Sequence, residues 1–237
     1  MLIGFWSPKG GSGVSTVAAA CALAARRSMP TIVVDPWGDL TALFAVPPPA
    51  VGWNDLVAAA ELPSDALDRI AVEVDERLRL VAPGGSGHEV ERRRTGAGSE
   101  VGVDLQAALR RARSTVIVDL GLGEGASASA LATTADALVC VIRPCYLALR
   151  RALAHPLLAP SNGVFVVEEP GRALTANDVA STLQRRELGA VSLRPAIARS
   201  IDAGTFVLRP SEGIVRAADT MLRRLGCPAE GLRSVAS

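Results

Sequence analysis

Short runs with apolar residues at consecutive positions recur along this chain, two of them ending in aspartate, and stretches of helical periodicity separate them. Residues 2–6, 31–35, 115–119, 137–142 and 163–167 read as such runs, with shorter strand-like pieces at 77–82 and 191–193. A strand that is apolar on both faces must be covered on both faces. Helices lying between consecutive strands are the usual cover, and they make the strands parallel. The expected helices fall near 15–27, 54–60, 64–70, 103–113, 125–134, 147–155, 176–186, 196–203 and 212–225. The expected fold is therefore a doubly wound, mostly parallel α/β sheet with helices on both faces. Ligands of such sheets bind at the carboxyl ends of the strands.

The 237 residues suit one domain, 1–237, and no internal repeat divides them. Aromatics make up only 3%, so alanine, valine and leucine must fill the core. The segment 84–102 is rich in glycine, serine and charge and reads as a surface loop expected to be mobile; 228–237 reads as a frayed tail. With 25 basic and 24 acidic residues, no global field points at nucleic acid or a membrane surface. There is no basic leader and no apolar run of membrane-spanning length, and the four cysteines lack framework spacing, so a reduced, cytoplasmic protein without membrane insertion is expected.

One count stands apart: of the 25 basic residues, a single one is lysine, Lys9. It lies in Ser7-Pro8-Lys9-Gly10-Gly11-Ser12-Gly13-Val14-Ser15-Thr16, between the first strand and the first helix. Glycines at this spacing let the backbone wrap so that successive N–H groups point inward at an anion, and the helix start adds the positive end of its dipole. Ser15 is placed to hold a magnesium ion and Thr16 to reach a phosphate oxygen. Asp119 ends an apolar strand two residues before Gly121, where a carboxylate can accept a bond from a magnesium-bound water.

At these residues the chain resembles the ParA/MinD superfamily, the deviant Walker A group of P-loop ATPases, whose motif reads Lys-Gly-Gly-x-Gly-Lys-Ser/Thr-Thr. Every position matches except one: Val14 stands where the phosphate-gripping lysine belongs. Further landmarks fall in order. Asp35-Pro36-Trp37-Gly38-Asp39 is similar to switch I, Val116-Ile117-Val118-Asp119 with Gly121 and Gly123 to Walker B and switch II, and Ala135-Asp136 is also family-like.

The resemblance implies ATP and Mg2+ as ligands held by Lys9, Gly10, Gly11, Ser12, Gly13, Val14, Ser15 and Thr16, with Ser15 and Asp119 on the metal. It implies a face-to-face homodimer in which Lys9 reaches the other copy's phosphates, and it gives Lys9 and Asp35 the catalytic roles. The family's usual Asp-x-Asp pair is reduced here to Asp35, with Val33 before it and Asp39 after it, and spacing does not say which family aspartate Asp35 replaces. A charge-assisted bond to phosphate is worth about 1.5–3 kcal/mol, so losing the lysine at position 14 costs roughly tenfold to hundredfold in affinity. Hydrolysis should suffer more, because positioning and electrostatics are nearly all of phosphoryl-transfer catalysis. A loop of this kind without the lysine is most similar to the TadZ/CpaE branch, which localises Tad-type pilus assembly. The alternative is a pseudo-ATPase scaffold that needs no nucleotide and works through protein contacts, pilus machinery or another partner.

Other residues point elsewhere only weakly. Cys140 and Cys145 have poor ligand spacing and read as core cysteines, while Cys227 stands alone. The doublets Arg110-Arg111, Arg150-Arg151, Arg185-Arg186 and Arg223-Arg224 fall on expected helices and read as solvated faces in preference to a DNA-binding surface.

Overall fold

The computed structural model describes residues 1–59, 61–63, 65–84 and 100–227. In chain order its elements are β1 (Leu2–Trp6), α1 (Val14–Ala25), β2 (Thr31–Val34), α2 (Asp39–Leu43), α3 (Trp53–Ala58), α4 (Ala66–Ile70), β3 (Val72–Asp75) and β4 (Leu78–Val81). There follow α5 (Glu100–Arg111), β5 (Thr115–Asp119), α6 (Ala126–Thr134), β6 (Ala137–Ile142), α7 (Tyr146–Ala154), a 3-10 turn (Pro156–Leu158), β7 (Gly163–Glu168), α8 (Ala176–Leu183), β8 (Glu187–Ser192), α9 (Pro195–Asp202) and α10 (Glu212–Arg224). The strands form one eight-stranded sheet in the order β3-β4-β2-β5-β1-β6-β7-β8. Every neighbouring pair is parallel except β3 with β4. The doubly wound α/β expectation is what the chain adopts.

Strand alternation divides the core in two. Ile3 and Phe5 of β1, with Val33, Ile117, Val139 and Phe165, face α1, α2, α9 and α10. Leu2 and Trp6, with Val34, Val118, Ile142 and Val166, face α3, α5, α6, α7 and α8. Shortage of aromatics is met by close approach of small residues: in α1 every residue from Val17 to Ala25 is buried, and seven of these nine are alanine or cysteine, which lets α10 lie against them. The partner stripe on α10 is Ile214, Val215, Ala218, Met221 and Leu222, the i, i+4, i+7 spacing of one helix face.

Three expectations need correction. The helix expected from 103 starts at Glu100, so the last part of the supposed loop 84–102 is helical; residues 85–99 of that loop, and the tail 228–237, lie outside the described residues, as does His88. An edge strand, β3, was not anticipated: Val-Glu-Val-Asp alternates, is only half-buried, and pairs antiparallel through a shifted register. Helix α8 stops at Leu183, and Gln184 turns into the left-handed region at φ 51°, so β8 begins at Glu187 and the Arg185-Arg186 doublet is not helical. These arginines are staples. Arg185 donates from Nε to the Leu158 carbonyl at 2.9 Å, and Arg186 donates to the Arg224 carbonyl at 2.7 Å. Arg224 in turn donates to the Glu187 carbonyl at 3.1 Å.

Candidate functional site

The sheet order sets β1 in the middle, between β5 and β6, so the segments leaving all three strands meet at one carboxyl edge. The loop after β1 is shaped from within. The Ser7 and Ser12 hydroxyls both donate to the Lys9 carbonyl, at 2.9 and 2.7 Å. Gly11 and Gly13 hold φ at 73° and 89°, a region that side chains rarely enter. The Ser7 N–H donates to the Gly121 carbonyl at 2.8 Å, tying the root of the loop to the turn after β5.

The consequence is a row of unused donors. Among the described residues, no N–H from Gly10 through Thr16 has a protein acceptor; the first bond of α1 runs from Val17 N–H to the Gly13 carbonyl. All of these residues except the buried Ser12 line an open cleft of about 560 Å³, together with Lys9, Trp37, Asp39, Gly121, Leu122 and Arg143. A smaller apolar pocket of about 240 Å³ adjoins it, sharing Gly13, Thr16 and Arg143 and closed by Val17, Val167, Val191 and Ile197. Val14 borders the cleft but packs on the α1-side core.

The acids divide by role. Asp119 is fully buried at the end of β5; its Oδ1 accepts from the Gly121 N–H at 2.9 Å, and its Oδ2 has no partner. Burial pushes its carboxyl up to about 6, against the lowering effect of the Ser15 hydroxyl and the Gly121 N–H, and the nearby Asp35 and Asp39 charges raise it further. Ser15 sits between the acids and donates weakly to Asp39 at 3.4 Å.

Asp35 is also buried, and both of its oxygens are engaged: Oδ1 accepts from Gly38 N–H at 2.8 Å, and Oδ2 accepts from both the N–H and the hydroxyl of Thr41 at 2.8 Å. Burial raises its carboxyl above the ordinary range in spite of these bonds. It holds the turn into α2, and that turn delivers Asp39, not Asp35, to the cleft. Of the two acids in the switch I-like segment, it is Asp39, directly after a turn glycine at a helix start, that borders the cleft.

Three carboxylates near one hydroxyl invite a metal test. Among the described residues no cluster of three His, Cys, Asp or Glu side chains forms a ready metal cage. Magnesium in phosphate sites does not need one, since one or two carboxylates, a hydroxyl, waters and the phosphate itself complete its shell. The orphaned Oδ2 of Asp119 beside Ser15 fits that requirement.

The cysteines carry no such chemistry. Cys140 is buried in β6 and its thiol is pushed up by burial, whereas Cys145, expected in the core, is half-buried and caps α7 by accepting from Ala148 N–H at 3.4 Å. His155 stacks on Trp6 with ring centroids 4.4 Å apart.

Compared with solved structures, the chain superimposes over nearly its whole length on a ParA family ATPase from Chlorobium tepidum TLS, with TM-score 0.75, 22% identity, and 93% of this chain and 97% of the other covered. The fold is that of the ParA and MinD ATPases. The septum site-determining protein MinD of Pyrococcus horikoshii OT3, complexed with Mg-ADP, aligns with TM-score 0.75 at 16% identity over 94% and 95% of the two chains. A McdA variant of Cyanothece in complex with ATP aligns with TM-score 0.73 at 16% identity over 96% of each. No family model matches the sequence, and no curated protein matches it. The ParA/MinD fold is thus visible in the backbone, at sequence identities of only 16–22%. Among the described residues no helix is long and apolar enough to cross a membrane.

Proposed function

We propose that the chain is a nucleotide switch of the ParA/MinD kind, which takes ATP with Mg2+ in the cleft and pairs face to face with a second copy when loaded. The observation that carries this reading is the run of N–H groups from Gly10 to Thr16 without protein acceptors, in a loop that lines a cleft together with Lys9. Residues 9–16 cradle the phosphates, and Ser15 and Asp119 hold the metal with Asp39 in reach. Magnesium, when bound, neutralises phosphate charge. The adjoining apolar pocket suits a nucleoside base, because it opens directly onto Gly13 and Thr16.

Lys9 is the half-exposed cation at the cleft mouth and serves the second copy's phosphates. Trp37 and Leu122 stand 38% and 40% exposed at the same rim, an apolar border that a second copy would cover. Turnover is slow or absent, because Val14 brings no charge to the phosphates and the Asp35 carboxylate is occupied by Gly38 and Thr41. The finer setting, a cytoplasmic protein that localises pilus assembly, rests on the likeness of the Val14-bearing loop to the TadZ/CpaE branch.

Those same two features favour a second reading, a scaffold that needs no nucleotide. Titration calorimetry with Mg-ATP and sedimentation velocity, on wild type and Lys9→Ala, separate the two. The switch reading expects micromolar binding by both proteins and ATP-dependent dimerisation by wild type alone. Absence of heat with ATP and ADP, and an unchanged sedimentation coefficient, would leave the scaffold.

A further inference from the structure

The phosphate cleft has a second cation that no motif announces. Among the described residues lining it, only Lys9 and Arg143 are positively charged. Arg143 follows β6 directly, and β6 pairs in parallel with β1 with Cys140 beside Trp6, so Arg143 and the phosphate loop emerge from the same sheet edge side by side. Its backbone is fixed there: Pro144 restricts the preceding residue to extended conformations, and the Arg143 carbonyl accepts the Cys145 N–H at 2.8 Å.

The side chain is positioned but not fully used. Its Nη1 donates to Glu169 at 2.8 Å, and Arg172 occupies the other Glu169 oxygen through Nε at 2.7 Å. Two guanidinium groups therefore share one carboxylate, leaving one positive charge over. The Nε–H of Arg143 is buried and has no acceptor. A buried charged donor without a partner is costly, and a bound anion is what would satisfy it. Arg143 also borders both the phosphate cleft and the apolar pocket, so it stands where they join.

We infer that Arg143 grips the nucleotide's phosphates in cis, close to the nucleoside, supplying the charge that residue 14 does not. The inference rests on the nucleotide-switch reading and adds to it how a loop without its lysine still holds a ligand. A guanidinium suits the task, since its planar fork can offer one edge to Glu169 and another to phosphate. Because Arg143 lies at the nucleoside end, ADP depends on it as much as ATP does. Lys9, by contrast, acts on self-association.

The test is calorimetric titration of ADP and ATP, each with Mg2+, into wild type, Arg143→Ala, Arg143→Lys, Arg172→Ala and the double variant Val14→Lys/Arg143→Ala. Arg143→Ala should weaken both nucleotides about tenfold to hundredfold. Arg143→Lys should keep most of the affinity. Arg172→Ala, which removes the other partner of Glu169 without reaching the cleft, should stay within about threefold of wild type, less than one charge-assisted bond is worth. The decisive arm is the double variant: a lysine at 14 should restore binding lost at 143, which a merely structural role of Arg143 would not permit. If wild type binds and Arg143→Ala binds equally well, or if Val14→Lys fails to rescue, the inference is overturned and the switch reading stands. If wild type binds neither nucleotide, both fall.

Discussion

Asp119 is a carboxylate kept in a place that folding alone would not choose, and replacing it with asparagine measures the cost. In the apo protein burial lifts its carboxyl from the ordinary 3.8 to about 6. The folded state thus binds a proton more readily than the unfolded chain between those two values, and stability must fall as pH rises through that window. Below about pH 4 both states are protonated and no penalty exists. Above about pH 6 both are ionised and the penalty is complete, about 3 kcal/mol by linkage.

Asparagine keeps the oxygen that accepts from Gly121 and removes the charge shared with the Oδ2 that has no partner. Part of the gain is offset because one amide N–H is left imperfectly paired, at about 1 kcal/mol. Asp119→Asn should therefore stabilise the metal-free protein by about 2 kcal/mol at pH 7.5, which is about 4–8 °C in Tm for a chain of this size. The gain should vanish near pH 4. Thermal unfolding by circular dichroism in EDTA, from pH 4 to 8, reads it directly. A variant less stable than wild type at pH 7.5, or a gain independent of pH, would refute the account of Asp119 as an unsatisfied buried charge.

Three further outcomes follow from the geometry. Asp35→Asn turns an amide toward the donors of Thr41 and Gly38 and should cost about 1–3 kcal/mol of stability in urea denaturation, with or without nucleotide. Equal midpoints would show that Asp35 does not hold the turn. Gly52 has an ordinary extended φ of −162°, yet an added Cβ would overlap the Ala82 carbonyl oxygen and stand 2.5 Å from Gly84 N. Gly52→Ala should thus lower the stability read by urea denaturation by more than about 2 kcal/mol for steric reasons alone. Trp6 and Trp53 are buried while Trp37 lines the cleft, so any ATP-induced change in tryptophan emission should disappear in Trp37→Phe.

What could be read from sequence was what two-sided burial writes plainly. Residues 116–118 and 137–142 are apolar and fully buried because helices cover both faces, and β5 and β6 run over 115–119 and 137–142 as expected. Strand β3 escaped because an edge strand covered on one side tolerates Glu73 and Asp75, which look like surface. The start of β8 escaped because Arg185 and Arg186 have helical propensity, and only their bonds to carbonyls on other elements show that they are staples. The phosphate loop was legible because glycine, serine and the sole lysine fall between a strand and a helix. Asp39 and Arg143 were not, because each owes its place to pairing elsewhere: Asp35 with Thr41 sets one, and the β1–β6 register sets the other. An arginine after a strand cannot be told from the many other arginines until the sheet is assembled.

The phosphate loop takes its shape from two serine hydroxyls on one carbonyl, two glycines with positive φ, and an anchor to Gly121; the side chain at position 14 takes no part. Drift at that position reaches folding only through the partial packing of Val14 on the core beneath α1, and leaves the bonds that shape the loop untouched. Loss or regain of the lysine would therefore change ligand strength first and stability by the small apolar contact that Val14 makes. For an engineer the same separation makes residue 14 a rheostat: a graded series from valine through glutamine and arginine to lysine would tune nucleotide residence time on an unchanged scaffold.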